Sequence, residues 1–276
     1  MISKHFFPGP SRSRIHLRSG LAALLGLALP ALATGNETGL KQATIKGLLV
    51  VEMRDGSVAG TVSQMNATVV RGKKEEFILR FNQDVGDMME KATAEVRKFM
   101  EVRHGDKIPY GSQVELAFAD KYSPKDGPSA AVVCALLTDS IITGDAIDDG
   151  FAATGDMTAT GEIRRIGGLS GKISGAIKKE CTLLGAPDDN KQSINDLYIN
   201  EGLSAFIELQ IFSLESFEEA RAVAMENRPE DLQTAIDEFI KVQKALRRNE
   251  KLIRNRKVLA KLKEIVRLAP HHQSAR

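Results

Sequence analysis

Tryptophan is absent from this 276-residue chain, and aromatic residues make up only 5% of it. A platform that stacks nucleic-acid bases on aromatic rings is therefore poorly supplied. The 38 Lys and Arg nearly cancel the 36 Asp and Glu, leaving a formal charge of +2. That is too little to attract a polyanion through the field of the whole molecule. Cysteines number two, Cys134 and Cys181. Cys134 lies in the apolar run AAVVCALL, where a buried free thiol is the commoner state. An exported chain could instead pair the two. What is present is an ordinary globular composition, 42% hydrophobic and 27% charged, enough for one large domain or two smaller ones.

The first 33 residues read as a leader. Lys4, Arg12, Arg14 and Arg18 precede an uncharged apolar stretch over 20–32, and Ala31-Leu32-Ala33 has the small-x-small form of a cleavage site. The expectation is a secretory signal peptide cleaved after about Ala33, too short to span a membrane comfortably, and a mature chain that is periplasmic or secreted. An uncleaved anchor is the alternative. Arg12 and Arg14 are not adjacent, which removes a twin-arginine signal. Residues 34–46 read as a linker.

Periodicity divides the remainder. Residues 47–53 form a dense apolar run with the length of a buried strand. Residues 58–70 and 76–81 read as two further strands joined in a hairpin. Apolar positions at three- and four-residue spacing predict a helix over 84–103, ended by Gly105. Alternation over 113–119 predicts a half-buried strand. A helix follows over 128–142, then short strands over 151–154 and 162–166 and a helix over 172–184. Residues 196–199 and 206–212 read as strands and 215–225 as a helix. After Arg228-Pro229 the composition shifts. Residues 230–268 read as a helical hairpin broken near 248–255, a separate extension over 229–276. Its apolar and small positions resemble half a tetratricopeptide repeat, a unit that needs stacked neighbours.

The chemistry gathers between Asp120 and Lys172. Gly127 permits a sharp entry and Pro128 suits a first helical position, so Ser129 falls in a first turn whose free N–H groups point outward. By local rules alone Ser129 reads as an N-cap. As a nucleophile it needs a base. The five histidines supply one poorly: His5 and His16 sit in the leader, His271 and His272 in the tail, and only His104 in the core. A lysine is the other solution. Lys172 follows Ile166-Gly167-Gly168-Leu169-Ser170-Gly171, and burial there would lower its pKa by disfavouring the charged form. By local rules it is equally an exposed lysine at a helix start. The same glycines fail as a phosphate loop, because positions 166 and 173 are both Ile where Gly and Ser or Thr are required. No nucleotide site, cofactor or metal is expected.

Residues 125–130 (KDGPSA) resemble the serine motif of the Lon protease proteolytic domain, a Ser-Lys dyad peptidase family. Residues 151–172 (FAATGDMTATGEIRRIGGLSGK) are similar to its lysine segment without a gap, 43 residues from serine to lysine suits the family, and 84–92 resemble the helix upstream. The likeness covers about 47–225. It implies an α/β fold, the Lon proteolytic-domain fold related to the second domain of ribosomal protein S5, over 47–228. It implies Ser129 as nucleophile and Lys172 as general base. Thr154 would orient the lysine. Asp126 would stabilise the serine loop, or pair with Lys172 in an inactive form. The backbone at Pro128, Ser129 and Ala130 would form the oxyanion hole. The chain departs from the family at Ala131, Asp156, Arg165 and Ser170-Gly171, none of which removes the dyad.

The expectation is an exported, ATP-independent serine endopeptidase that cleaves unfolded or flexible polypeptides, since neither the ATPase module nor the substrate-binding domain of the family is read in this sequence. A non-catalytic binding or scaffold module of the same fold is the alternative, and retention of both Ser129 and Lys172 argues against it. The expected partners are polypeptide substrates, with neither nucleic acid nor nucleotide. The family tends to form rings, so a homo-oligomer is possible, and the basic tail, with eleven Lys and Arg against two Glu over 241–267, could recruit an acidic protein partner or membrane surface. A solvated helix face is the plainer reading of that tail.

Overall fold

The computed structural model describes residues 41–52, 58–73, 75–120 and 125–276. The expected leader lies outside these residues. The described residues form one compact unit.

A seven-stranded sheet carries the fold. β1 (Gln42–Glu52) and β2 (Val58–Arg71) pair along their full length as an antiparallel hairpin. β1 therefore starts inside the segment read as linker. Ala43 and Ile45 are buried, which fixes that first part of the strand in the core. β3 (Phe77–Phe81) does not pair with β2 as the local pattern predicts. β4 (Ser112–Phe118) inserts between them, antiparallel to β2 and parallel to β3. The parallel pairing needs a crossover, and α1 (Asp87–His104) supplies it. On the other side of β1 the strands run parallel: β5 (Phe151–Ala153), β8 (Leu183–Pro187) and β9 (Gln210–Leu214), giving the order β3-β4-β2-β1-β5-β8-β9. β6 (Asp156–Met157) and β7 (Ile163–Arg164) form a small separate ladder.

The inner strands are buried on both faces, as their unbroken apolar runs require. Phe151, Ala153 and Leu183 face one cluster, which also holds α1, α2 (Ala131–Thr143) and α6 (Phe217–Ala224). Leu48, Ala152 and Leu184 face the other, with α3 (Leu169–Lys178), α4 (Lys191–Glu201) and α5 (Ser204–Glu208). The result is an α/β/α arrangement. α2 is mostly apolar and buried along nearly its whole length, with Thr138, Asp139 and Ser140 also buried.

Three segments depart from the periodicity. Residues 196–199 lie in α4, not in a strand, and 206–208 lie in α5, so β9 starts only at Gln210. Short apolar runs suit either state, and packing against α3 decided these. The helix read over 172–184 ends at Lys178, and its last residues belong to β8.

The C-terminal helices are not a separate appendage. α7 (Glu230–Arg248) buries Ala235, Ile236, Phe239, Val242 and Leu246 in the main core, and α8 (Arg256–Leu268) packs on α7. The tail then bonds to β9: Ser213 N–H donates to the His271 carbonyl and Gln273 N–H to the Ile211 carbonyl. His272 is fully buried between Phe212 and Phe239, with its Nε2 3.0 Å from Gln210 Oε1. Burial lowers its pKa to about 3, so it is neutral in ordinary conditions.

Candidate active site

Thr154 directly follows β5, and the helices that bear Ser129 and Lys172 lie on opposite faces of the sheet. The carboxyl end of a parallel strand is where such layers leave a crevice. Ser129 sits in a 3-10 turn (Pro128–Ala130) that leads into α2, after Gly127 at φ 106°, a conformation that favours glycine. Its carbonyl accepts two bonds, from Gly155 N–H at 2.9 Å and from the Thr154 hydroxyl at 3.2 Å. Val132 N–H returns one to the Gly155 carbonyl. These bonds lash the serine turn to the end of β5.

Lys172 comes from the first turn of α3, which starts after Gly168 in the left-handed region at φ 68°. Its amine donates to Ser129 Oγ at 3.1 Å and to Thr154 Oγ1 at 2.9 Å. The residue is only 2% exposed, and desolvation lowers its pKa from the ordinary 10.5 to about 8. Thr154 is fully buried, and its proton is committed to the Ser129 carbonyl. Thr154 Oγ1 can therefore only accept from Lys172. Once the amine is neutral, one N–H held by Thr154 leaves the lone pair free to face the serine hydroxyl.

Asp126 does not reach Lys172. Its Oδ1 accepts from Met89 N–H at 3.2 Å and from Gly127 N–H at 2.7 Å. It thus ties the serine loop to the start of α1. Gly86, at the cap of α1, leaves the room: a Cβ there would overlap the Asp126 carboxylate. The N–H groups of Ser129 and Ala130 lie in the first turn leading into α2, where backbone donors point outward. Pro128, included in the expected oxyanion hole, has no N–H and cannot donate to an oxyanion. His104 is engaged elsewhere, with Nε2 3.0 Å from Asp139 Oδ1 beside Arg103 and Arg221. Cys134 and Cys181 are both free and buried, and desolvation pushes the Cys134 thiol up to about 12.

Sequence reasoning passed over the seam beneath Lys172. A Cβ at Gly60 would overlap the Gly171 carbonyl and lie 2.6 Å from Lys172 N. One at Gly175 would lie 2.6 Å from the Gly60 carbonyl carbon. Gly60 and Gly175 thus let α3 rest directly on the β2 backbone. The available signal was an isolated glycine inside a long strand, which marks a close backbone approach.

The match to known families coincides with this frame. The model of the Lon protease (S16) C-terminal proteolytic domain matches residues 36–226. The chain belongs to that family. Its fold is the Lon proteolytic-domain fold. Among curated relatives, the Lon protease of Erwinia amylovora is 28% identical over 190 residues, 69% of this chain and 20% of that protein. That of Haemophilus influenzae is 27% identical over 192 residues, 67% of this chain and 22% of its own length. Lon protease 1 of Bacillus subtilis is 30% identical over 161 residues, 58% of this chain and 18% of its own length. The chain thus matches about a fifth of the length of these relatives.

Proposed function

We propose that this chain is a serine endopeptidase of the Lon type, with Ser129 as nucleophile and Lys172 as general base. The observation that carries this reading is the 3.1 Å contact between a buried, partly neutral amine and the serine hydroxyl. Neutral Lys172 takes the proton from Ser129 Oγ as the oxygen attacks a peptide carbonyl. The negative charge that develops on the carbonyl oxygen is met by the N–H groups of Ser129 and Ala130. The ammonium then gives its proton to the departing amine, an acyl-enzyme remains on Ser129, and water attacks it with Lys172 again as base. Thr154 keeps the amine pointed at the serine throughout.

The reading extends to nucleotide-independent cleavage of unfolded or flexible polypeptides. Every side chain in the proposed dyad comes from this one chain, which supports hydrolysis without a second module. Export from the cytoplasm is part of the same proposal and rests on the leader in residues 1–33. The test is cleavage of an unfolded, casein-like protein without nucleotide. Wild type is expected to cleave, and Ser129→Ala and Lys172→Ala to be inactive. Activity surviving in both variants sinks the dyad. Failure of folded wild type to be labelled at Ser129 by a serine-directed covalent inhibitor favours a binding module.

A further inference from the structure

Asn190 ends the 3-10 turn after β8 and is 1% exposed. Both ends of its amide are used, and both on one residue. Its Oδ1 accepts from Ile166 N–H at 3.0 Å, and its Nδ2 donates to the Ile166 carbonyl at 2.9 Å. Ile166 lies two residues beyond β7, where ladder pairing has stopped. The side chain therefore supplies the two backbone bonds that a neighbouring strand would have made. Next along the chain come Gly167, then Gly168 in the left-handed conformation, then α3 with Lys172 in its first turn. Lys172 N–H bonds back to the Gly168 carbonyl. β8 holds the other half of the site as well, since the Gly185 carbonyl accepts from Thr154 N–H at 3.1 Å. One strand and the turn after it thus brace both the threonine that accepts from the lysine amine and the loop that launches the lysine.

We infer that Asn190 is a positioning residue for the proposed dyad: by clamping Ile166 it fixes the start of α3 and holds the Lys172 amine between Ser129 and Thr154. This rests on the peptidase reading only for its catalytic consequence. A buried asparagine that spends all its bonding on one loop costs desolvation of a polar amide, and a loop needed only as a connection could be satisfied by water. Here the loop leads to a lysine whose pKa is depressed by desolvation, with no charged group contributing. Loosening the loop lets water reach the amine and returns it toward its ordinary range.

The test titrates the Lys172 amine by NMR in protein carrying 13C-labelled lysine, its signal assigned by loss in Lys172→Met. Wild type, Asn190→Ala and Asn190→Asp are compared, with pH–rate profiles on an unfolded protein substrate alongside. Wild-type Lys172 is expected to titrate at about 8 and the Asn190→Ala lysine to move upward toward 10.5. In that variant kcat should fall by about tenfold to a hundredfold while KM stays nearly level, since misplacement of the base touches the chemical step. Asn190→Asp keeps the acceptor for Ile166 N–H and loses the donor, so its titration should fall between the two. Should Asn190→Ala fail to fold, the aspartate variant decides by the same comparison. A Lys172 titration that stays at the wild-type value overturns the inference, even if thermal stability drops, because a purely structural role lowers stability without moving the amine. If wild type has no Ser129-dependent activity, the peptidase reading fails separately, and the amine titration still decides the role of Asn190.

Discussion

Replacing Lys172 with methionine should remove a specific pH dependence of stability. In the folded protein the amine titrates at about 8, against an ordinary 10.5. Between those values the unfolded chain holds a proton that the folded site has released, so stability rises with pH across the window. Below pH 8 both states are protonated and the cost of burying the amine is constant at about 3.4 kcal/mol, from 1.36 kcal/mol per pH unit. Integrating between pH 7 and pH 10 gives a gain of about 2.5 kcal/mol for this one group. Methionine matches the length of the stem, stays apolar and does not titrate. It also removes the bonds that the amine gives to Ser129 Oγ and Thr154 Oγ1, but that penalty does not depend on pH over this range. The assay is denaturant unfolding of wild type and Lys172→Met at pH 7 and pH 10. Other lysines, the tyrosines and the thiols titrate alike in both proteins and cancel in the double difference. Wild type should gain about 2.5 kcal/mol on the variant over that interval. Parallel curves would mean that the amine is not desolvated in the folded state, which would refute both the stability argument and the account of Lys172 as a base.

The same titration sets the expected rate profile: proteolysis rises about tenfold per pH unit below 8 and flattens above, as the neutral amine accumulates. Thr154→Val should fold, since it is nearly isosteric, but lose about a hundredfold in kcat because the amine is no longer oriented, whereas Thr154→Ser should retain most of the rate. Asp126→Ala should cost about 1 kcal/mol by removing acceptors from Met89 and Gly127 at the start of α1, and should lower activity; higher activity would instead show that Asp126 restrains Lys172. Gly60→Ala should destabilise by about 1–3 kcal/mol or more in thermal melts and depress activity, because its Cβ has only the α3 backbone to displace. Deleting residues 269–276 should uncover the β9 edge that His271 and Gln273 now pair, and light scattering on heating should show aggregation well below the wild-type transition.

Much of the site was legible locally. Gly127-Pro128-Ser129 states a sharp entry to a helix, and an all-apolar run after it states a buried helix; α2 is that helix. Gly167 to Lys172 states a glycine-rich turn followed by a helix start, and α3 begins at Leu169. What could not be read were the partners across the sheet. The interposition of β4 between β2 and β3 depends on pairing over some 40 residues, with no local trace. Residues 196–199 have the composition of a strand and the packing of a helix. The basic tail conceals in its sequence that α7 turns an apolar face to the core and that His272 plugs the gap between two phenylalanines.

The sequence by itself determined the chemistry on offer: one serine at a helix entry, one lysine in a glycine-rich turn, a threonine between them, and few histidines to compete. It determined the family as well, because the two motifs recur at a characteristic distance. Tertiary structure alone decided that these groups meet. The serine and lysine ride on helices from opposite faces of the sheet, and only the end of β5 brings them within 3.1 Å. It also decided the protonation of the lysine, since desolvation belongs to the packed site and not to the residue. The supports are tertiary in the same sense. Gly60 and Asn190 each act through a backbone contact: an isolated strand glycine hints that something approaches Gly60, but the partner segments, α3 and Ile166, are set only by the fold.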